Sequence, residues 1–399
     1  MRINAGFLIF AVFACQMAFA QLQTGRNFFY YERYHSAKEA FAKDAETNPE
    51  ATYWLGQTMI ELKDIEGAKA LYQKSLTSNG NSPLILVGMG HIELLENKTS
   101  DARQRFEAAI SLTKSRDIKV LNAIGRANVE SRAGDNLYAI EKLNLATSIK
   151  GFKDPEVYIN LGNAYRKMGD GGNAIVSYSK ALSTDPKYAA ARHFTGKVYL
   201  SQNNREFFIP EFEGAIAIDP AYAPSYRELY HYYYFRDVNK AIEYLEKYAA
   251  NTDQTPELEY EKTSVLYAAR KYQEAISQAE KIMAAKGDNY SPKYHRLLAF
   301  SYNALGDSIN ALKNIEIFLS RATEDILLPT DFDLLGTLQF KFPGRESQAI
   351  ENIEKAIEMD TTVTKKIEYA EKVAGILDAR GMLRQAADWK IKAYNFLPN

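Results

Sequence analysis

The chain has almost no cysteine. Cys15 is the only one in 399 residues. The sequence beyond it therefore offers no disulfide framework, no thiolate nucleophile and no cysteine zinc site. Histidine is scarce too. His35, His91, His193, His231 and His295 are dispersed, and no H-E-x-x-H pair puts two imidazoles on one helix face. No G-x-S-x-G elbow is present either. Charge of one sign is missing, because the formal net charge is −1. A general nucleic-acid binder would carry a basic excess. Beyond the first 20 residues no run is long and apolar enough to span a membrane. These absences leave no catalytic residue, no metal site and no cofactor to expect.

The N-terminus reads differently from the rest. Arg2 is its only charge, an apolar run covers Ala5 to Ala14, and Ala18-Phe19-Ala20 precedes Gln21. This pattern predicts a secretory signal peptide over residues 1–20, cut after Ala20. Export to a bacterial periplasm, or an outer-membrane-associated location, is the corresponding expectation. Val12 to Cys15 also resembles a lipoprotein signal, but Phe13 fits that pattern poorly, so soluble export is preferred over lipidation at Cys15.

What the chain has in abundance is a returning alanine. Ala68, Ala102, Ala139, Ala174, Ala241, Ala275, Ala311, Ala349 and Ala386 each sit in a similar amphipathic phrase, and Phe208 fills the one vacant slot. The steps run from 33 to 38 residues. A period of that size over most of a chain predicts a stacked array of helix pairs. Each pair touches mainly its neighbours, and the product is an extended surface suited to binding.

The clearest unit runs from Asp154 to Pro186 and holds Tyr158, Leu161-Gly162, Tyr165, Gly169, Ala174, Tyr178, Ala181-Leu182 and Pro186. Trp54-Leu55-Gly56 with Ala68 and Tyr72 repeats the phrase earlier, and Gly381, Ala386, Ala393 and Pro398 repeat it last. The pattern resembles the tetratricopeptide repeat. Gly162 and Ala174 are expected where the two helices of a pair cross closely, with Tyr178 filling space between pairs. Gly169-Asp170-Gly171-Gly172 reads as the turn between helices and not as a phosphate loop. The resemblance implies an all-α fold, a right-handed α-solenoid superhelix of ten to eleven helix-turn-helix repeats. Residues 21–49 would form a degenerate first repeat and residues 50–399 the array. Segments 284–292 and 321–331 strain the period and read either as bends or as longer loops.

The resemblance also implies a concave groove lined by the first helix of each pair. Groove positions counted from the recurring alanine place Asn128, Arg132, Asn160, Asn163, Arg166, Lys167, His193 and Lys197 in a polar, basic centre. Tyr226, Tyr230, Tyr233, Tyr234, Tyr260 and Tyr267 form an aromatic zone beside it. Tyrosine offers broad area with little rotamer entropy to lose on binding, so these rings are candidate contacts, or else are buried against one another. Asn128 and Asn160 occupy the positions of the family's carboxylate-clamp asparagines. Ile124, Ala190 and Phe194 stand where its clamp cations would be, so a general preference for acidic segments is expected instead. Trp389, Tyr394 and Phe396 on the last helix predict self-association or a second contact surface there, unless the helix turns them inward. The leading functional reading is a non-catalytic scaffold that binds proteins or peptides and supports complex assembly in the envelope. The alternative is a glycan-binding envelope protein that stacks sugars on the groove tyrosines.

Overall fold

The structure is a computed structural model that describes residues 20–80 and 82–397. Residues 1–19, with Cys15 and most of the expected leader, lie outside them. The described residues are helical and divide into two compact units. One takes the chain to Tyr233 together with Asn239–Asp253, and the other takes Tyr234–Val238 and Gln254–Asn399.

The first unit begins with α1 (20–30). It continues with α2 (Tyr34–Ala42), α3 (Pro49–Glu61), α4 (Ile65–Asn79), α5 (Pro83–Leu95), α6 (Thr99–Leu112) and α7 (Ile118–Glu130). Then come α8 (Asn136–Thr147), α9 (Pro155–Lys167), α10 (Gly171–Thr184), α11 (Ala189–Ser201), α12 (Arg205–Ile218), α13 (Ala223–Tyr233) and α14 (Val238–Asn251). The second unit holds α15 (Pro256–Ala268), α16 (Tyr272–Lys286), α17 (Lys293–Ala304) and α18 (Ser308–Arg321). A 3-10 turn at Glu324–Ile326 leads to α19 (Pro329–Gln339), α20 (Glu346–Met359), α21 (Val363–Ala379) and α22 (Leu383–Tyr394). The helices associate as consecutive pairs, α3 with α4 through α11 with α12 in the first unit and α15 with α16 through α21 with α22 in the second, and each of these pairs stacks on the next within its unit. Each unit is an α-solenoid of tetratricopeptide-type pairs.

Local chemistry sets the helix ends. Asn48, Asp117, Asp135, Asp154 and Asp170 accept backbone N–H bonds at the starts of α3, α7, α8, α9 and α10. These side chains satisfy amides that have no partner inside the helix. Pro49, Pro83, Pro155 and Pro329 open their helices, where a missing N–H costs nothing. Gly169 turns between α9 and α10 at φ +80°, a conformation that suits a residue without Cβ.

Small residues set the crossings. The recurring alanines Ala68, Ala102, Ala139, Ala174, Ala241, Ala275, Ala311 and Ala349 are all fully buried. A Cβ added at Gly162 would overlap the Tyr178 ring, and one at Gly56 would overlap Tyr72. At Gly125 the added atom would lie 2.5 Å from Leu143, and at Gly196 it would lie 2.7 Å from Phe212. So the first helix of a pair supplies a notch, and the second helix fills it with a large side chain. Segments 284–292 and 321–331 contain the connections from α16 to α17 and from α18 to α19. Gly287 ends α16 at φ +58° before α17 begins at Lys293, and residues 322–328 carry the 3-10 turn.

Candidate functional site

The first helices α3, α7 and α9 place the polar side chains Glu61, Arg126, Glu130, Glu156, Asn160 and Asn163 on the inner face of the first unit. α7 supplies the strongest of them. Arg126 is only 4% exposed. Its Nη2 donates to Tyr53 Oη and to Gln57 Oε1, each at 3.0 Å. It lies 3.7 Å from Glu130 and 3.6 Å from Glu156. Its guanidinium sits 4.5 Å from the centre of Trp54, 5.2 Å from Phe29 and 5.6 Å from Tyr53. A buried cation is tolerable only with such partners. His91 Nδ1 lies 3.0 Å from Gln57 Oε1, and burial next to Arg126 pushes the imidazole down to about 3.

The predicted groove residues divide by role. Asn128 is buried. Its amide donates to the Ile124 carbonyl at 2.9 Å and accepts from Asp135 N at 3.0 Å, so it ties α7 to the following turn. Asn160 is buried and donates to Asn122 at 2.8 Å. The two clamp-position asparagines are thus used within the array. Asn163 is half-buried and accepts from Tyr178 Oη at 2.9 Å. Arg166 is half-buried, while Arg132 and Lys167 are exposed. Lys197 is paired with Glu228 at 2.5 Å, and Glu130 acts electrostatically on Lys167. Carboxylates therefore offset much of the basic excess counted from sequence. His193 is buried against Phe194, Phe212 and Tyr222, with its Nδ1 3.1 Å from Ser225 Oγ. Burial, with Lys197 and Arg166 nearby, pushes it down to about 3.

The tyrosine zone is mostly packing. Tyr230 is 1% exposed and Tyr226 is 5% exposed. Tyr226 Oη donates to the Pro220 carbonyl at 3.1 Å. Tyr233 stacks on Tyr244 with ring centres 5.8 Å apart. In the second unit, Tyr234 Oη donates to the Ser264 carbonyl at 2.6 Å, and Tyr260 and Tyr267 pack against a core of α16 and α17 residues. Of the six rings, Tyr226 and Tyr230 are not available as surface. For these two the alternative of burial among neighbouring side chains applies. On α22, Trp389 is turned inward and Tyr394 is 73% exposed.

Sequence reasoning missed the residues that close the inner face. α1 carries Arg26, Phe29 and Tyr30, and all three reach into the groove. A cavity of about 540 Å³ remains between α1 and the facing helices. Its walls include Trp54, Tyr188 and Tyr222 with Glu61, Glu130 and Asp154. The unusual aromatic run Phe28 to Tyr31 was the available signal. Among the described residues, no group of three His, Cys, Asp or Glu side chains converges in a way that could hold a metal ion. No described helix is long and apolar enough to cross a membrane.

Models of the tetratricopeptide repeat match residues 49–82 and 155–188, which are α3 with α4 and α9 with α10. No curated protein matches the chain. Among solved structures, yeast Tom70 is similar at 13% identity, covering 92% of this chain and 96% of that one, with a TM-score of 0.42. PilW, described as a type IV pilus biogenesis factor, shows 19% identity over 56% of this chain and 98% of that one, with a TM-score of 0.39. A thermophilic tetratricopeptide protein of Thermus thermophilus shows 21% identity over 46% and 99%, with a TM-score of 0.35. The notch glycines, the buried alanines and the two matched segments lead to one assignment: the chain is a tetratricopeptide-repeat protein.

Proposed function

We propose that this protein is a non-catalytic scaffold that binds a protein or peptide partner on the inner face of its first unit and supports assembly of a complex. The observation that carries the reading is the inner face itself. Consecutive first helices present Asn163, Arg166, Lys167 and Lys197 along one side of a repeat array. Partner recognition is the ordinary use of such extended faces. Burial of Tyr226 and Tyr230 removes rings that a sugar would stack on, which favours a protein ligand over a glycan. The leader-like residues 1–20 support a site of action in the bacterial periplasm or envelope.

The test is direct binding of the full chain to an immobilised library of defined peptides, with acidic, basic and aromatic members. Saturable binding to one class is expected, and Arg132→Glu combined with Lys167→Glu should alter it. Both side chains are exposed, so the fold should survive the change. Equal binding to every class, unchanged in the variant, would remove the reading. Cell fractionation with N-terminal sequencing tests the location: the expected product begins at Gln21 and leaves the cytoplasm.

A further inference from the structure

In the first unit, helices α2–α13 make their main contacts with helices one or two places away. The segment 20–36, which is α1 and the turn into α2, behaves differently. Its bonds cross 130 to 220 residues of sequence. Arg26 Nη2 donates to Glu156 at 3.3 Å, and its guanidinium lies 5.2 Å from the Trp54 ring centre. Tyr30 Oη accepts from Ala190 N at 3.2 Å, and its ring lies 5.0 Å from Tyr188 and 5.2 Å from Tyr222. Tyr31 Oη donates to Asp219 at 2.9 Å. Asp253 completes the attachment. It accepts from the His35 and Ser36 amides at 2.9 and 3.1 Å, from Ser36 Oγ at 2.5 Å and from Arg33 at 3.4 Å. The N-cap residue of α2, Arg33, offers no side-chain cap of its own, so Asp253 caps that helix from across the unit.

We propose that residues 20–36 are a displaceable strap. The strap occupies the inner face as a partner would, and the partner is a peptide carrying an arginine and aromatic residues at the spacing of Arg26, Phe29 and Tyr30. The proposal rests on the inner-face binding reading above. Three observations support it. The face holds guanidinium groups between carboxylates and rings twice, at Arg26 and at Arg126. The cavity beside the strap carries more carboxylates than cations: beside Glu32 of the strap itself, Glu61, Glu130, Asp154, Glu156, Asp185 and Asp219 stand with Arg26, Arg126 and Lys187. Finally, Leu22, Phe28 and Phe29 pack the strap on the buried cluster, while its far end is fastened by polar bonds that include partly exposed groups, which water can replace. Arg33, for example, is 36% exposed in its ion pair.

A strap that is mostly closed lowers the apparent affinity for any competitor by the fraction of time it is open. Loosening it should therefore strengthen binding in trans. The experiment uses the full chain with Trp389→Phe, which leaves Trp54 as the sole tryptophan. Asp253→Ala is added to open the strap. Acrylamide quenching of Trp54 is expected to rise, and a labelled peptide of residues 20–36 to bind about tenfold more tightly than to the parent. The same peptide with Arg26→Glu should not bind. If Asp253→Ala fails to fold, Arg33→Ala with Ser36→Ala loosens the same contact from the strap side. Quenching that does not change in either variant overturns the strap. Raised quenching without peptide binding overturns the partner chemistry. The two binding readings fail separately: library peptides that bind while the strap peptide does not would leave the scaffold reading standing.

Discussion

At the scale of single residues, the same change has opposite signs at two glycines. Gly162 faces the Tyr178 ring with no room for a methyl group. Gly162→Ala should destabilise the array by about 1–3 kcal/mol, the usual range for overpacking. Gly375 lies inside α21, exposed, with nothing within 4 Å of an added Cβ. Gly375→Ala should stabilise by about 0.5–1 kcal/mol through backbone entropy alone. Urea denaturation of the two variants should move the midpoints in opposite directions, and a common direction would refute the notch account. His193 provides a pH test. It is buried and neutral, with its imidazole near 3 when folded and near 6.5 when unfolded. The unfolded chain therefore binds the extra proton first. Stability is fully present above pH 6.5 and is lost as pH falls toward 3. His193→Gln should flatten that part of the stability profile relative to the parent. An unchanged slope between pH 6 and 4 would show that His193 is not buried as a neutral ring.

At the scale of elements, the helix starts are the most local part of the fold. Asp117 accepts from Lys119 N at 2.9 Å and from Val120 N at 3.3 Å at the exposed start of α7. Asp117→Ala should cost about 1 kcal/mol while leaving the far-ultraviolet dichroism unchanged. Asp117→Asn should recover most of that loss, whereas a purely electrostatic role would not be rescued. Caps, turns and crossing alanines were legible because each needs one residue type at one position of a repeating phrase. The inner face was legible only in part. Position within the repeat identified which side of α9 or α13 a residue occupies, but not how near the next helix comes. Hence Asn128 and Asn160 turned out to bond inside the array, and Tyr226 and Tyr230 to be filler. The attachment of α1 was not legible at all. Its partners Glu156 and Ala190 stand 34 residues apart, as do Asp219 and Asp253, so the repeat marks equivalent positions, but no local pattern encodes which of them a helix at that distance along the chain will reach.

At the scale of the whole molecule, a solenoid distributes its stability over pairs and the interfaces between neighbours. The buried apolar residues fall into several clusters. In the second unit, Ala349, Ile353, Ala356 and Ile357 of α20 join Ala370, Val373, Ala374 and Leu377 of α21 in one buried cluster, with Trp389 of α22 behind them. In the first unit a separate cluster runs from Ala37 to Ala164. Loss of one buried side chain should therefore be felt locally. Ile353 is fully buried beside Gly336, so Ile353→Ala removes three carbons and leaves a cavity, at a cost of about 2–5 kcal/mol. The opening free energy of α19–α22 should fall by that amount, because these helices share the damaged cluster. Amide hydrogen exchange read helix by helix is the measurement, since it resolves sub-global opening. Faster exchange in α19–α22, with α3–α8 unchanged, is the expected pattern. Uniformly faster exchange along the chain would mean that the array unfolds as one cooperative body, and that stacked pairs are not its unit of stability.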